Sequence, residues 1–195
     1  MKENQRKKQK RETRDKIMEA AMIMFAERGF SVTTTEIAKS AGISHGSIFV
    51  HFTTREELID CAINVFFECI NQEINIAAKG NADMEDLLEV HLSMLRSSED
   101  FYRNLITQMS LLPDTTRERL FAYQTTLSFH FDDVLRREKE QGQIVGLPHH
   151  MLFNMWLSLV HYYLQNRTMF APEGSVIDRY RDELISSYVM MIRRG

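Results

Sequence analysis

Nowhere in this chain do apolar and polar residues alternate for more than a few positions, as they do in half-buried β-strands. Apolar residues recur at helical spacing instead. The plainest run follows i, i+3, i+4, i+7, i+8 and i+11, at Met84, Leu87, Leu88, His91, Leu92 and Leu95. With 195 residues, 44% of them hydrophobic, the chain can bury a core without crosslinks. We therefore predict an all-α fold of about nine helices.

The first third of the chain predicts a helix-turn-helix. Its three helices are expected over residues 11–28, 36–41 and 44–51. Gly29 fits the end of the first helix, Gly42 breaks the second, and Ser44 can cap the third. Ile48 and Phe52 fall on the inner side of that third helix. Two short helices joined by a tight glycine turn form a helix-turn-helix.

The rest of the chain predicts longer helices. They are expected from Thr54 to before Gly80, around 84–95, before Pro113, from Asp114 to Gly142, from Pro148 to Phe170 and from Val176 to Arg194. Thr54 and Glu57 have the spacing of a capping box, and Ser175 can cap the last helix.

The last two helices are apolar on more than one face. A helix that is apolar all round must be buried all round, and a small domain has little interior for two such helices at its end. A symmetric homodimer in which both helices pack against their copies satisfies this pattern. A place in the centre of the monomer core is the alternative.

Charge divides the chain into a basic first part and an acidic remainder. Residues 1–55 carry 11 Lys or Arg against 6 Asp or Glu, a net +5, whereas residues 56–195 carry 13 against 21, a net −8. This division indicates a polyanionic partner for the first part. The basic N-terminal arm is expected to attract phosphate without sequence preference or to enter a minor groove, and a solvated, disordered arm is the alternative.

The sequence predicts no catalytic, metal or cofactor site. No two histidines stand four residues apart with a glutamate, and there is neither a phosphate-binding glycine loop nor a nucleophile elbow. We therefore expect no enzyme. Cys61 and Cys69 would lie about 12 Å apart on one helix, which is too far for a disulfide.

The chain is expected to be cytoplasmic and without a membrane span. No apolar segment of a signal peptide follows the basic N-terminus. The longest uncharged stretch, residues 141–166, is densely apolar only over residues 151–164, which suits a buried helix.

Residues 13–60 contain a specific set of residues at fixed spacings. The set is Ile17, Ala20, Ala21, Phe25, Gly29, Phe30, Thr33, Thr34, Glu36, Ile37, Ala38, Ala41, Gly42, Ile43, Ser44, Gly46, Ser47, Phe52, Glu56, Glu57 and Leu58. With these spacings the segment resembles the TetR family of bacterial transcriptional regulators. The resemblance implies a DNA-binding helix-turn-helix domain with its basic arm over residues 1–53, and an effector-binding and dimerisation domain over residues 54–195.

Residues 44–51 would form the recognition helix, since a helix fits the major groove and its N-terminal end favours phosphate. The predicted DNA contacts are Thr33, Thr34, Ser44, His45, Gly46, Ser47, Phe49, Val50, His51 and Arg55. His45 stands where the family commonly has lysine, and Phe49 where it commonly has tyrosine, so both phosphate contacts are weakened. Val50 is expected either to touch a thymine methyl group or to be an ordinary exposed valine.

The resemblance also implies a pocket for a small, partly hydrophobic effector in the body. The predicted lining is Phe66, His91, Phe101, Met109, Tyr123, His130 and Trp156. We expect a ligand-released homodimeric repressor that binds a near-palindromic double-stranded operator. A helical small-ligand carrier or scaffold that keeps the helix-turn-helix only for packing is the alternative, and activation rather than repression stays open.

Overall fold

The computed structural model describes residues 2–78 and 82–193, with side chains described for residues 5–70, 72 and 82–193. The described residues form ten α-helices, one 3₁₀ helix and no β-strand. The α-helices are α1 Lys2–Arg28, α2 Thr34–Ser40, α3 His45–His51, α4 Arg55–Ala78, α5 Met84–Ser97, α6 Glu99–Thr107, α7 Asp114–Glu140, α8 His149–Gln165, α9 Arg167–Phe170 and α10 Val176–Ile192. The 3₁₀ helix is Met109–Leu111. The all-α prediction is confirmed.

The chain divides into two compact units, which do not follow the order of the sequence. Unit 1 comprises Met1–Phe66 and Asp100–Arg117, and unit 2 comprises Phe67–Glu99 and Glu118–Gly195. Unit 1 therefore combines the helix-turn-helix with a segment that lies far from it in the sequence. The functional division at residue 53 concerns activity rather than compactness and stays a prediction.

The first helix is longer than its pattern predicts. It begins at Lys2 rather than near residue 11, so the described part of the basic arm is helical. Residues 5–12 are Gln, Lys, Arg and Glu, which favour helix even without an apolar face, and Lys8 pairs with Glu12 at 3.8 Å. The disordered alternative for these residues is wrong.

The penultimate helix is shorter than predicted, because it breaks at Asn166. Helix α8 ends at Gln165, and the four-residue α9 begins at Arg167. The Asn166 side-chain amide donates to the carbonyl oxygen of Tyr162 at 2.8 Å, where it competes with the backbone bonds of a continuing helix.

The predicted capping box at the start of α4 is only half formed. The backbone N–H of Glu57 donates to Thr54 Oγ1 at 3.0 Å, as predicted. The Glu57 carboxylate accepts from the backbone N–H of Thr53 at 2.6 Å, one residue before the expected partner. The helix start is therefore closed by both side chains in a shifted register.

Unit 1 is held together by an aromatic cluster. Phe25 stacks on Phe30 with ring centroids 5.0 Å apart, and Phe30 meets Phe101 edge to face at 5.4 Å. Phe66 contacts both Phe101 at 5.0 Å and Tyr102 at 5.8 Å. These rings join α1, α4 and α6 around one buried centre.

Unit 2 packs around the apolar face of α5. Every residue of the predicted stripe from Met84 to Leu95 is buried. The ring centroids of Trp156 on α8 and Tyr188 on α10 lie 5.3 Å apart. The Tyr188 hydroxyl donates to the Leu152 carbonyl oxygen at 2.7 Å. Burial raises the pKa of Tyr188, so this phenol stays protonated as a donor.

Candidate DNA-binding surface

Helix α2 has a complete capping box that fixes its N-terminus. The Glu36 backbone N–H donates to Thr33 Oγ1 at 3.3 Å, and the Thr33 N–H donates to the Glu36 carboxylate at 2.9 Å. Arg28 Nη2 adds a contact to the same carboxylate at 2.6 Å. The hydrogen bonds from Thr33, then the Arg28 contact, lower the pKa of Glu36 to about 2. Sequence reasoning did not assign Glu36 a role, although its three-residue spacing from Thr33 signals this box.

Helix α3 is capped by Ser44, as predicted. The backbone N–H of Ser47 donates to Ser44 Oγ at 3.3 Å, and the two hydroxyl oxygens lie 2.7 Å apart. The two serines therefore close the N-terminal turn of α3 together. Gly46 lies between them, and a Cβ placed on it would meet no heavy atom within 4 Å.

A side-chain hydrogen bond joins the first residues of α2 and α3. Thr34 Oγ1 and His45 Nε2 lie 2.9 Å apart. The His45 ring also meets Phe49 edge to face, with centroids 5.1 Å apart. The bond fixes the starts of the two helices against each other and holds both rings at the surface.

The two faces of α3 differ completely in burial. Ile48 is fully buried and Phe52, just past the helix, is almost so, which confirms the predicted inner side. Phe49 is 45% exposed and Val50 is 67% exposed. His45 and Gly46 are exposed on the same outward face. A partner can therefore approach this face without displacing any core residue.

Two of the predicted contacts, Arg55 and His51, are half-buried. The Arg55 guanidinium donates to the Phe30 carbonyl oxygen and, at 3.2 and 3.3 Å, to that of Val32. His51 is half-buried, and burial first, then the charges of Lys10 and Arg14, lower its pKa. Arg55 thus braces the turn before α2, and a DNA contact by either residue stays a prediction.

Two residues outside the first third of the chain complete unit 1, and sequence reasoning missed both. Asn104 Nδ2 donates to the carbonyl oxygens of Phe25 and Ala26 at 2.8 and 2.7 Å. Gln108 Oε1 accepts from the Phe30 backbone N–H at 2.8 Å. Asn104 therefore supplies donors to two carbonyls in the last turn of α1, where intrahelical partners run out, and Gln108 supplies an acceptor to the residue after Gly29. No local sequence signal reports such a distant pairing.

The predicted effector residues are divided between the two units. Phe66, Phe101 and Met109 belong to unit 1, whereas His91, Tyr123, His130 and Trp156 belong to unit 2. In unit 1, Phe66 and Phe101 are in contact. In unit 2, His91 contacts Trp156, and Tyr123 stacks on Phe67 at 4.6 Å. His130 is half-buried on α7.

His91 is a fully buried neutral imidazole. Trp156 Nε1–H donates to His91 Nδ1 at 3.0 Å, so the ring proton of the neutral form sits on Nε2. This buried Nε2–H meets no acceptor among the described residues. Burial, and secondarily the charge of His161, lower the pKa of His91 to about 3. The ring is therefore a donor that holds its proton in an apolar core.

We expect the buried histidine to make folding acid-sensitive. Below pH 6.5 the unfolded chain protonates His91 and the folded chain does not, so stability is lost as the pH falls towards 3. One such group contributes about 1.4 kcal/mol per pH unit within this window. Urea unfolding at pH 6.5 and pH 5 measures the slope, and His91→Gln, which keeps an acceptor for Trp156, should reduce it by about one proton. His150→Gln, at an exposed histidine, should leave it unchanged, and equal slopes in both variants would contradict the assignment.

The capped helix pair, with one helix face free of the core, is the architecture of a helix-turn-helix DNA-binding protein. Residues 17–61 match the family model described as bacterial regulatory proteins, tetR family. Two named regulators are similar over most of their length. The probable HTH-type transcriptional regulator YttP of Bacillus subtilis is 26% identical over 161 residues, 78% of each chain. The negative regulator IcaR of the Staphylococcus aureus biofilm operon icaADBC is 20% identical over 187 residues, 93% of this chain and 100% of that protein.

The fold agrees with that of solved regulators. The transcriptional regulator FadR of Bacillus subtilis, solved in complex with stearoyl-CoA, superposes with a TM-score of 0.70 at 19% identity, over 89% of this chain and 96% of that chain. Residues 17–61 belong to the tetR family of bacterial regulatory proteins, and the chain is a DNA-binding transcriptional regulator. Over residues 2–78 and 82–193, no helix is both long and apolar enough to cross a membrane.

Proposed function

We propose that this protein is a homodimeric repressor that binds a near-palindromic operator through the outward face of α3 and leaves it when an effector binds. The observation that carries the proposal is the fixed and exposed start of α3, where Ser44 caps the helix and Thr34 holds His45. A helix presented in this way reads the major groove with its N-terminal residues.

The N-terminal ends of α2 and α3 carry the groups that we propose contact DNA phosphates. Thr33, Thr34, Ser44 and Ser47 place hydroxyl groups beside the N-termini of α2 and α3, where backbone amides and the helix dipole favour an anion. Gly46 leaves open space in which a DNA backbone can come close to the protein backbone. Arg55 supports this geometry from behind through the carbonyls that it binds.

The last helices supply the proposed dimer interface. Helix α8 exposes Met151 at 48% and Tyr162 at 54%, and α10 exposes Met190 at 79% and Met191 at 51%. Exposed apolar groups on both helices are consistent with a protein interface, and a twofold partner would bury the same patch on both chains. A dimer would place two α3 helices for major grooves about 34 Å apart.

The effector is proposed to bind in the body, residues 54–195, with His91 as its polar anchor. The His91 Nε2–H is a buried donor that an oxygen of the ligand can satisfy, and an apolar setting suits a partly hydrophobic molecule. The stearoyl-CoA bound by FadR supports a ligand of this character. Effector binding and DNA binding would then weaken each other, typically by 1 to 3 kcal/mol.

A gel shift with the DNA immediately upstream of the protein's own gene tests the proposal. We expect a shift that resists nonspecific competitor, and a dimer mass by analytical ultracentrifugation. Gly46→Val should keep the dimer, because its Cβ has open space, and should weaken operator binding at least tenfold by blocking close approach. Stearoyl-CoA, stearate and short-chain CoA esters are the first probes for release.

The same experiment distinguishes a repressor from the alternative, a helical carrier or scaffold. A helical carrier or scaffold would bind such ligands without any sequence-selective shift, and Gly46→Val would then have no effect on its behaviour. Repression, rather than activation, is supported by the naming of IcaR as a negative regulator. A reporter gene that falls in expression when this protein is present would distinguish the two.

A further inference from the structure

Helix α3 lacks the side chains that usually read purines. Its sequence is HGSIFVH, with no Arg, Lys, Asn or Gln. Arginine and lysine pair with guanine, and asparagine and glutamine pair with adenine, through two hydrogen bonds in the major groove. These two-bond purine contacts are therefore not open to α3, and the polar groups of His45 and Ser47 already have partners in Thr34 and Ser44.

The outward face offers apolar surface instead. Val50 is 67% exposed and Phe49 is 45% exposed, whereas Ile48 and Phe52 are buried in the core. The Phe49 ring is held by the edge of His45, and His45 is held by Thr34. The Phe49 ring is thus held in position before any DNA arrives, which lowers the entropy cost of its contact with a base.

The major groove presents only one apolar group, the C5-methyl group of thymine. We propose that Phe49 and Val50 read thymine methyl groups, so that each operator half-site carries thymine at the bases that face the middle of α3. This inference rests on the proposed operator binding by α3. It specifies what that binding recognises.

Deoxyuridine tests the inference directly, because it pairs like thymidine but lacks the methyl group. The operator found by gel shift is synthesised with deoxyuridine in place of thymidine at each position of both half-sites in turn. Burying one methyl group is worth about 0.8 kcal/mol, or about fourfold in affinity. We expect one or two positions per half-site where the wild-type protein binds about fourfold more weakly, and about 15-fold when both half-sites are changed.

Variants assign the effect to its side chains. Val50→Ala or Phe49→Ala should bring the ratio between thymidine and deoxyuridine operators close to one. Val65→Ala is the matched control, since Val65 is 44% exposed in unit 1 but lies on α4. It should keep the wild-type ratio. Circular dichroism confirms that each variant is folded.

The outcomes separate the inference from the proposed function. Absence of any operator-selective shift would overturn operator binding itself. A selective shift that is equally strong on deoxyuridine at every position would overturn methyl recognition and leave the repressor proposal standing. Discrimination that persists unchanged in both Val50→Ala and Phe49→Ala would overturn the assignment to these two residues.

Discussion

Replacing Glu99 by alanine is expected to destabilise the protein by about 3 to 4 kcal/mol. Glu99 is only 7% exposed, and its carboxylate accepts from the Ser175 hydroxyl and from the backbone N–H groups of Val176 and Ile177, the latter two at 2.9 and 3.2 Å. Alanine leaves these donors at the start of α10 without an acceptor and removes a negative charge from the positive end of its dipole. In thermal unfolding, the melting temperature should fall by about 10 °C.

Two variants locate the cause of this loss. Glu99→Gln keeps the size and one acceptor oxygen, so it should lose less than alanine. Glu183→Ala removes an exposed glutamate from the middle of α10 and should change stability by less than about 0.5 kcal/mol. Similar melting temperatures for the Glu99 and Glu183 variants would show that α10 does not depend on this carboxylate.

The second large effect is expected at Gly29, where Gly29→Ala should cost about 3 kcal/mol. Gly29 has a φ of +77°, which costs a residue with a Cβ about 1 to 2 kcal/mol. Its new Cβ would also approach Gln108 Oε1 to 2.8 Å. The flexible Gln108 can move away, but it would then leave the Phe30 N–H without an acceptor. Urea unfolding measures the sum of both effects.

Gly42 provides the matched control for this strain. It has a φ of +67°, and a Cβ there meets nothing within 4 Å, so Gly42→Ala carries only the backbone cost. The difference between the two variants measures the Gln108 contact. In a double-mutant cycle, Gly29→Ala should cost about 1 kcal/mol less when Gln108 is already alanine. Equal costs at Gly29 and Gly42 would contradict the proposed role of Gln108.

Local signals predicted most of the helices and their caps. Ser44 caps α3 and Ser175 caps α10, and the stripe from Met84 to Leu95 is buried as its spacing requires. These features depend on a few neighbouring residues, so the sequence reports them directly. The early start of α1 escaped prediction because charged residues favour helix without leaving an apolar pattern.

Side-chain partners could be predicted far less well than the faces that carry them. Spacing placed His91 on the inner face of α5, but nothing in it identifies Trp156 as the group that fixes the ring tautomer. Arg55 was predicted only as a DNA contact, and nothing in its spacing announced its hydrogen bonds to the carbonyls of Phe30 and Val32. A helical pattern reports which face of a helix is buried. The partner of each side chain on that face depends on packing between distant segments.

The membership of residues 100–117 in unit 1 limits how this regulator can be rebuilt. A chimaera that joins residues 1–53 to a foreign body would lose the carboxamides of Asn104 and Gln108, and the end of α1 would fray. If α3 reads the operator as proposed, exchanging its outward side chains alone should change the specificity. Transplanting the whole DNA-binding module requires either residues 100–117 or a recipient that supplies equivalent amides.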